Sequence, residues 1–204
     1  MDTTFIDELA SAAPTPGGGG AASYVGAVAS ALASMVGNLT VGKKTYAAVE
    51  DDVRARLDAL EHLRDKLLAL IESDAQAFEP LAASYRMPKA TPEEAAAKQA
   101  ALQLALGPAC DVPLIIMRTC AEVIDHADFL ARNGSKLAVF GRGCGGGAGT
   151  RGRGGGQHER LHQRGPRWTT KRAPIRYRAE ADRLIAEANE RADGILAYTM
   201  DAIR

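Results

Sequence analysis

One carboxylate in the sequence is a clear candidate for catalysis or ligand binding. Asp74 lies within a long helical pattern, at a point where its neighbours Ala75, Ala77 and Phe78 turn apolar. A carboxylate at the edge of a core can act as a general base, or it can bind an amidine-like pair of N–H groups. A solvated helix position is the commoner alternative. The pattern alone leaves both interpretations of Asp74 open.

Two adjacent lysines are the second candidate group. Lys43 and Lys44 follow a stretch from Leu9 to Gly42 that contains no charged residue. Lysines near the C-terminus of a helix suit its negative end, which is a purely structural role. The same two ammonium groups could also bind a carboxylate-bearing ligand. The residues by themselves do not separate these two roles.

A glycine-rich stretch is the third candidate. Gly17 to Gly20 follow Thr15 and Pro16 and precede an apolar helical pattern. Free backbone N–H groups at the start of a helix attract anions. A dinucleotide-binding fingerprint is rejected, because no strand precedes the glycines and Pro16 lies directly before them. A shaped loop with a binding role is favoured over a merely flexible turn.

Composition bounds the class of protein. The 204 residues are enough for one domain with a sizeable core, and the values of 46% hydrophobic and 25% charged residues are typical of a globular chain. Aromatic residues make up only 5%, which favours packed helices over a β-sandwich. The net charge of +0 gives no reason to regard the whole chain as a nucleic-acid or membrane-surface binder.

Cysteine and histidine usage argues against a metal site. The three cysteines form no CxxC pair, and His62 and His126 have no ligand partner at metal spacing. A reducing cytoplasm is the expected compartment, and the N-terminus lacks the basic region of a signal peptide. The uncharged stretch before Lys43 is long enough to cross a bilayer. Its prolines, glycines and serines favour a buried helix of a soluble protein instead.

Helical periodicity dominates the chain, and no strand pattern of useful length occurs. We predict an all-α antiparallel bundle with long helices. The expected helices cover residues 4–13, 21–41, 46–85, 91–132 and 177–203. Thr91, Pro92 and Glu94 form a strong helix start, and Pro80 is expected to kink the preceding helix near its end. Pro108 and Pro113 are expected to break the helix that contains them.

Five motifs in chain order resemble the cyclodeaminase/cyclohydrolase family of folate enzymes. They are Ala13-Pro14-Thr15-Pro16-Gly17-Gly18-Gly19, Ser34-Met35-Val36, Asn38-Leu39-Thr40-x-Gly42-Lys43-Lys44, Asp74-Ala75-x-Ala77-Phe78 and Met87-Pro88-Lys89-x-Thr91-x-Glu93-Glu94. The similarity runs from Phe5 to about Val139 and resumes near Arg178. Each motif is weak alone, but together they are distinctive.

The resemblance implies an all-helical, dimeric enzyme of one-carbon folate metabolism, in the cytoplasm, that needs no metal or redox cofactor. The expected reaction is hydrolysis of 5,10-methenyltetrahydrofolate to 10-formyltetrahydrofolate. Asp74 is then the candidate base or pterin anchor, and Lys43 and Lys44 are candidates for charge stabilisation. Substrate-binding candidates are Lys89 and the glycine stretch with its preceding turn: Thr15, Pro16, Gly17, Gly18 and Gly19.

One segment departs from the family pattern, within a single domain spanning residues 1–204. Residues 140–176 lack the expected Ser-Asp-x-Gly motif, its alanine-rich helix and an Asn-Val-x-Ile-Asn motif. Degenerate codons from Phe140 onward, read with one base dropped, can restore these motifs in order. We therefore infer a frameshifted segment. Because Gly costs about 1 kcal/mol relative to Ala inside a helix, an irregular, glycine-rich and protease-sensitive segment is expected there, with weakened or lost activity.

Three alternative functions remain. A formiminotetrahydrofolate cyclodeaminase would close the same ring and release ammonia. Arg151-Gly152-Arg153-Gly154-Gly155 resembles an RNA-binding RGG segment, and ten basic residues against one acidic residue lie between Gly141 and Arg178. The frameshift hypothesis would remove that RNA-binding argument. The third alternative is an inactive structural homologue.

Overall fold

The computed structural model describes residues 3–136 and 175–202 and contains only helices within them. The helices are α1 (Thr4–Leu9), α2 (Gly18–Asn38), a 3-10 helix (Lys44–Val49), α3 (Glu50–Arg86), α4 (Pro92–Asn133) and α5 (Ile175–Asp201). The predicted all-α class is confirmed. The predicted irregularity of residues 140–176 falls outside the described residues, except that α5 begins at Ile175, two residues earlier than expected.

Helix α4 begins as its sequence predicts. The Thr91 hydroxyl accepts a hydrogen bond from the Glu94 amide at 3.2 Å, and the Glu94 carboxylate accepts one from the Thr91 amide at 3.2 Å. These two bonds satisfy N–H groups that no helical carbonyl can reach. Pro92 occupies the first helical position, where its missing N–H costs nothing.

Small residues let α2 pack closely against α3 in antiparallel order. The Ser23 hydroxyl donates to the Leu67 carbonyl at 2.7 Å, and the Ser30 hydroxyl donates to the Leu60 carbonyl at 2.6 Å. Both serines are fully buried. Since the bonded position on α3 moves back as that on α2 moves forward, the two helices run in opposite directions. Their buried hydroxyls thereby have partners in the core.

The predicted breaks in α4 are wrong, because the helix runs continuously through Pro108 and Pro113. Proline removes a helical hydrogen bond and clashes with the preceding turn, so a continuous helix needs compensation from packing. Ala105 and Leu114 lie on either side of the prolines and are both buried. Pro80 lies inside α3, which likewise continues beyond it to Arg86.

Helix α5 lies along α4 and runs parallel to it. The Tyr177 hydroxyl donates to the Asp111 carboxylate at 2.7 Å, and Arg191 pairs with Asp125 at 3.0 Å. Both partners advance together along their helices, so α4 and α5 run parallel, and the predicted antiparallel order does not hold for this pair. The chain that joins the two helices, residues 137–174, is outside the described part.

Two helices are long and apolar enough to cross a membrane by length and composition alone, Gly18–Asn38 and Pro92–Asn133. Core helices of soluble proteins pass the same test. One side of α2 packs on α3 and α4 through buried small residues. This packing agrees with the predicted core position of α2.

Candidate functional site

The glycine stretch is the start of helix α2 rather than a loop ahead of it. Gly17 is the N-terminal cap and Gly18 the first helical residue, so the predicted loop ends earlier than expected. The preceding Thr15–Pro16 peptide bond is cis. Because α2 begins at Gly18, Gly18 and Gly19 occupy its first turn, where backbone N–H groups have no helical acceptor.

Asp74 supplies the acceptor for this helix start. Its Oδ2 atom accepts a hydrogen bond from the Gly20 amide at 3.0 Å, across the α2–α3 contact. A Cβ atom on Gly19 would collide with the Asp74 carboxylate. By contrast, a Cβ on Gly18 would meet nothing within 4 Å. The close approach of the carboxylate therefore leaves no room for a side chain at Gly19 unless Asp74 moves.

The environment of Asp74 changes its acidity. Half-burial of the side chain raises the pKa of Asp74 from the value 3.8, because water no longer stabilises the charge fully. The hydrogen bond from the Gly20 amide acts in the opposite direction and lowers that pKa. Desolvation is the larger effect. A carboxyl group with a raised pKa is better matched to proton transfer near neutral pH.

The other end of α2 forms a second polar cluster. The Lys43 ammonium group donates to the Ser135 hydroxyl at 3.1 Å. The Ser135 amide donates to the Thr40 hydroxyl at 2.8 Å, and that hydroxyl donates to the Val36 carbonyl at 2.7 Å. Thr40 and Ser135 are both 1% exposed. This chain of bonds fixes the end of α4 against the end of α2 and holds the half-buried Lys43.

The predicted site residues occupy three separate places in the chain. Helix α2 has 21 residues and is therefore about 30 Å long, so Asp74 and Lys43 lie at opposite ends of it. Lys44 is exposed and begins the 3-10 helix. Lys89 is exposed in the turn between α3 and α4, beyond Asp74 along α3. The fold of one chain thus brings the glycine turn to Asp74, but it does not bring the lysines there.

Sequence reasoning missed the residues that surround Lys43. Ser135 lies just beyond residues 91–132, a range that the sequence predicted only as a helix. A Cβ on Gly134 would crowd Val36 and Thr40, so glycine permits the close approach that brings Ser135 to Lys43. That contact joins positions 92 residues apart in the chain, so no local sequence pattern predicts it.

Two histidines of the described helices, His62 and His126, contact nearby protein groups. His62 contacts the Asp58 carbonyl one turn earlier at 2.7 Å. The Nδ1 atom of His126 lies 3.2 Å from the Arg56 guanidinium. Burial and the Arg56 charge lower the pKa of His126 from 6.5. Residues 3–136 and 175–202 contain no group of three or more His, Cys, Asp or Glu side chains arranged to hold a metal ion.

The described helices form an all-α bundle in which a carboxylate caps a glycine-rich helix start. A family model described as formiminotransferase-cyclodeaminase matches residues 2–152. The chain belongs to that family, and the predicted resemblance is confirmed.

Individual relatives agree with this assignment. Over 132 residues, the chain is 52% identical to a methenyltetrahydrofolate cyclohydrolase of Methylorubrum extorquens; the match covers 65% of this chain and 64% of that protein. It is 36% identical over 120 residues to a formimidoyltransferase-cyclodeaminase of Sus scrofa, covering 59% of this chain and 22% of that protein. The chain therefore spans less than two thirds of the length of either relative.

A solved structure matches the whole fold. The crystal structure of formiminotetrahydrofolate cyclodeaminase from Thermotoga maritima superposes with a TM-score of 0.75 and 27% sequence identity. The match covers 99% of this chain and 95% of the other. The bundle described above is therefore the fold of a folate-processing relative.

Proposed function

We propose that this protein hydrolyses 5,10-methenyltetrahydrofolate to 10-formyltetrahydrofolate. The observation that carries the proposal is the 52% identity to a methenyltetrahydrofolate cyclohydrolase over 132 residues. The half-buried carboxylate of Asp74 at the start of α2 supports it, since the reaction needs a group that can accept a proton.

The reaction places simple demands on the site. Water adds to the carbon of the amidinium-like methenyl bridge and loses a proton. One carbon–nitrogen bond of the ring then breaks, and the nitrogen that leaves takes up a proton. The carbon keeps its oxidation state throughout, so the proposal includes no redox cofactor. The proposed scheme also includes no metal. In this scheme, Asp74 accepts the proton from water or anchors the pterin N–H groups.

Backbone and lysine groups would hold the rest of the substrate. The folate tail carries carboxylates, which lysine ammonium groups bind. Lys43, Lys44 and Lys89 are the proposed tail contacts, and we propose that Lys43 and Lys44 also stabilise charge. Thr15, Pro16 and Gly17 to Gly19 form the proposed wall beside Asp74.

A spectroscopic assay tests the proposal directly. Loss of the methenyltetrahydrofolate absorbance should be faster with purified protein than in buffer alone. A sample with Asp74→Asn protein is the matched control, because asparagine keeps the shape and removes the ionisable group. An assay in which wild-type protein and buffer give the same rate would reject the hydrolase.

Cyclodeamination is the second candidate. The whole-chain match to a formiminotetrahydrofolate cyclodeaminase of Thermotoga maritima favours it specifically. In that reaction the formimino nitrogen leaves as ammonia while the methenyl ring closes. Release of ammonia from formiminotetrahydrofolate by the purified protein would identify this activity. A protein that hydrolyses methenyltetrahydrofolate but releases no ammonia would exclude cyclodeamination.

The state of the protein belongs to the same proposal. We expect a cytoplasmic homodimer that binds a folate and neither a membrane nor a nucleic acid. The Arg-Gly segment that could bind RNA, Arg151 to Gly155, lies outside the described residues. Binding of a single-stranded RNA that weakens as salt is raised would favour the RNA-binding alternative. A protein that lacks both folate activities would be the inactive homologue.

A further inference from the structure

The turn between α3 and α4 is held on both sides by side chains of α4. We call residues 87–90 the α3–α4 turn. The Lys98 ammonium group donates a hydrogen bond to the Met87 carbonyl at 2.7 Å. On the other side of the turn, the Glu94 carboxylate accepts a hydrogen bond from the Ala90 amide at 2.7 Å. Since Glu94 and Lys98 are four residues apart, they lie on the same face of α4 and hold the two ends of the turn.

Lys98 closes the end of α3 in place of a backbone group. The last carbonyl groups of a helix have no helical partner, and Pro88, just beyond α3, has no N–H group to offer them. Lys98 supplies a second hydrogen bond here, to the Tyr85 carbonyl at 2.8 Å, and its side chain is partly buried. A positive charge is also favourable at the C-terminal end of a helix. The ammonium group of Lys98 is therefore engaged with the backbone of this helix end.

Closing the helix does not by itself require this arrangement. Residues 88–90 are exposed, so water can bond to the carbonyl groups of the turn, whereas a long lysine side chain loses rotamer freedom when it is fixed. Among the described residues, the buried cluster at this end of the bundle, Leu81, Leu102 and Ala105, packs only with side chains of α3 and α4. The hydrogen bonds of Lys98 therefore fix a turn that projects from a thin, two-helix part of the fold.

We propose that Lys98 is a positioning residue for folate binding. By fixing the α3–α4 turn, it holds Lys89 in the place where the Lys89 ammonium group binds the carboxylates of the folate tail. This inference rests on the proposed function. Lys98 itself touches neither the tail nor the reacting atoms in this scheme, because its ammonium group is bonded to the carbonyl groups of Tyr85 and Met87.

The distance along α3 suits a folate that lies between Asp74 and Lys89. Asp74 and Arg86, the last residue of α3, are 12 residues apart, which is about 18 Å along the helix. Lys43, by comparison, lies beyond the far end of α2, about 30 Å from Asp74. A folate carries its pterin ring at one end and its glutamate carboxylates at the other, and when extended it spans a distance comparable to the shorter of these two. A substrate with its pterin at Asp74 can therefore place its tail at the α3–α4 turn.

Proteolysis tests the turn without reference to activity. Trypsin cleaves after Lys89 when the backbone around it opens, and mass spectrometry identifies that cut among the others. Cleavage there should be about threefold faster or more in Lys98→Met than in the wild type, since loss of hydrogen bonds favours local opening. Circular dichroism should show unchanged helicity. Lys66→Met, an exposed lysine of α3, is the matched control and should be cleaved at the wild-type rate. Equal cleavage after Lys89 in the wild type and in Lys98→Met would overturn the proposal.

Steady-state kinetics test the link to the folate tail. For methenyltetrahydrofolate, Lys89→Met and Lys98→Met should each raise KM by roughly three- to tenfold and leave kcat nearly unchanged, as for a contact that is equally strong in the ground state and the transition state. The methenyl derivative of tetrahydropteroate, which lacks the glutamate, is the matched substrate. Its KM should be the same in the wild type and in both variants. An increase of KM for both substrates, or a fall in kcat alone, would contradict a role through the tail.

A double variant separates positioning from direct binding. If Lys98 acts through Lys89, the KM of Lys89→Met/Lys98→Met should equal that of Lys89→Met alone, because no side chain is left to position. KM increases that multiply in the double variant would show that Lys98 acts independently of Lys89, and they would overturn the positioning role.

Equilibrium binding distinguishes a failure of this proposal from a failure of the proposed function. The probe is 5-formyltetrahydrofolate, a stable folate with the same tail, and its dissociation constant by titration calorimetry should rise by roughly three- to tenfold in Lys98→Met. A wild-type protein that binds this folate but does not hydrolyse methenyltetrahydrofolate would refute the proposed function, while the binding comparison would still decide the role of Lys98. Unchanged binding in Lys98→Met, with an active wild type, would refute the role of Lys98 alone. A wild-type protein that binds no folate would refute both.

Discussion

The two ends of α2 solve the same structural problem with opposite chemistry. At its start, the amide group of Gly20 donates a hydrogen bond to the Asp74 carboxylate of α3, at 3.0 Å. At its end, the Thr40 hydroxyl joins the last turn to the Ser135 amide just beyond α4, at 2.8 Å. The first end places an ionisable acid against backbone, and the second places neutral hydroxyls there with Lys43 on the outside.

This difference indicates where chemistry and stability reside. A half-buried carboxylate is costly to ionise, so Asp74 is a poor choice for a purely structural cap. A neutral hydroxyl provides the same kind of bond without that cost. The polar cluster at the end of α2 is therefore expected to matter mainly for protein stability. Asp74, at the start of α2, is expected to matter mainly for reaction rate.

The largest expected effect comes from Asp74→Asn. The asparagine oxygen can still accept the Gly20 hydrogen bond, but the side chain cannot take up a proton. Methenyltetrahydrofolate hydrolysis should fall by roughly a hundredfold or more, as for removal of a general base. Steady-state kinetics measure this, with Glu79→Gln as an exposed carboxylate control on the same helix. Near-normal turnover would return Asp74 to a capping role.

Next in size is Gly19→Ala. The added methyl group collides with the Asp74 carboxylate, so the free energy of unfolding should fall by about 1–3 kcal/mol, as for overpacking. Gly18→Ala is the matched control, because its methyl group meets nothing and alanine favours the helix. Urea denaturation compares the two variants. Equal stability in both would show that the carboxylate moves aside freely.

A comparable loss is expected at the other end of α2 from Thr40→Val. Valine has nearly the same shape but leaves the buried Ser135 amide without its acceptor. An unsatisfied buried donor costs about 1–3 kcal/mol in unfolding free energy. The effect on turnover should be much smaller than that of Asp74→Asn. Thermal denaturation and kinetics together check it, and an unchanged melting temperature would remove the structural role assigned to this cluster.

A smaller effect is expected from Lys43→Met and Lys44→Met. If these lysines bind the folate carboxylates, each variant should raise KM or lower kcat. The unfolding free energy should change by only about 0.5–1.5 kcal/mol for Lys43→Met, which loses one hydrogen bond to Ser135, and by less for Lys44→Met, whose side chain is exposed. Lys66→Met, an exposed lysine on α3, is the control. Unchanged kinetics in both single variants would leave Lys43 with only its structural contact to Ser135 and would remove the binding role of Lys44.

Local sequence signals predicted the elements well and their meeting points poorly. The capping box at Thr91 and Glu94 announces the start of α4 within a few residues, so that helix start was predictable. The breaks at Pro108 and Pro113 were not confirmed, because tertiary packing overrides a local preference. Ser135 reaches Lys43 only through the folded bundle, and no spacing in the sequence indicates that contact.

The smallest and most specific effect concerns pH. Desolvation raises the pKa of Asp74 above its value of 3.8, so in the window between 3.8 and the raised value the folded protein binds more protons than the unfolded chain. The free energy of unfolding must therefore fall as pH rises through that window, as far as Asp74 contributes. Asp74→Asn abolishes this contribution, and the wild-type protein should lose stability relative to the variant between pH 4 and neutrality. Urea denaturation of both proteins across that range measures the difference, and all other titrating groups cancel in it. A wild-type protein that instead gains stability relative to Asp74→Asn as pH rises would show that the Gly20 hydrogen bond outweighs desolvation, and that Asp74 is a charged cap rather than a base.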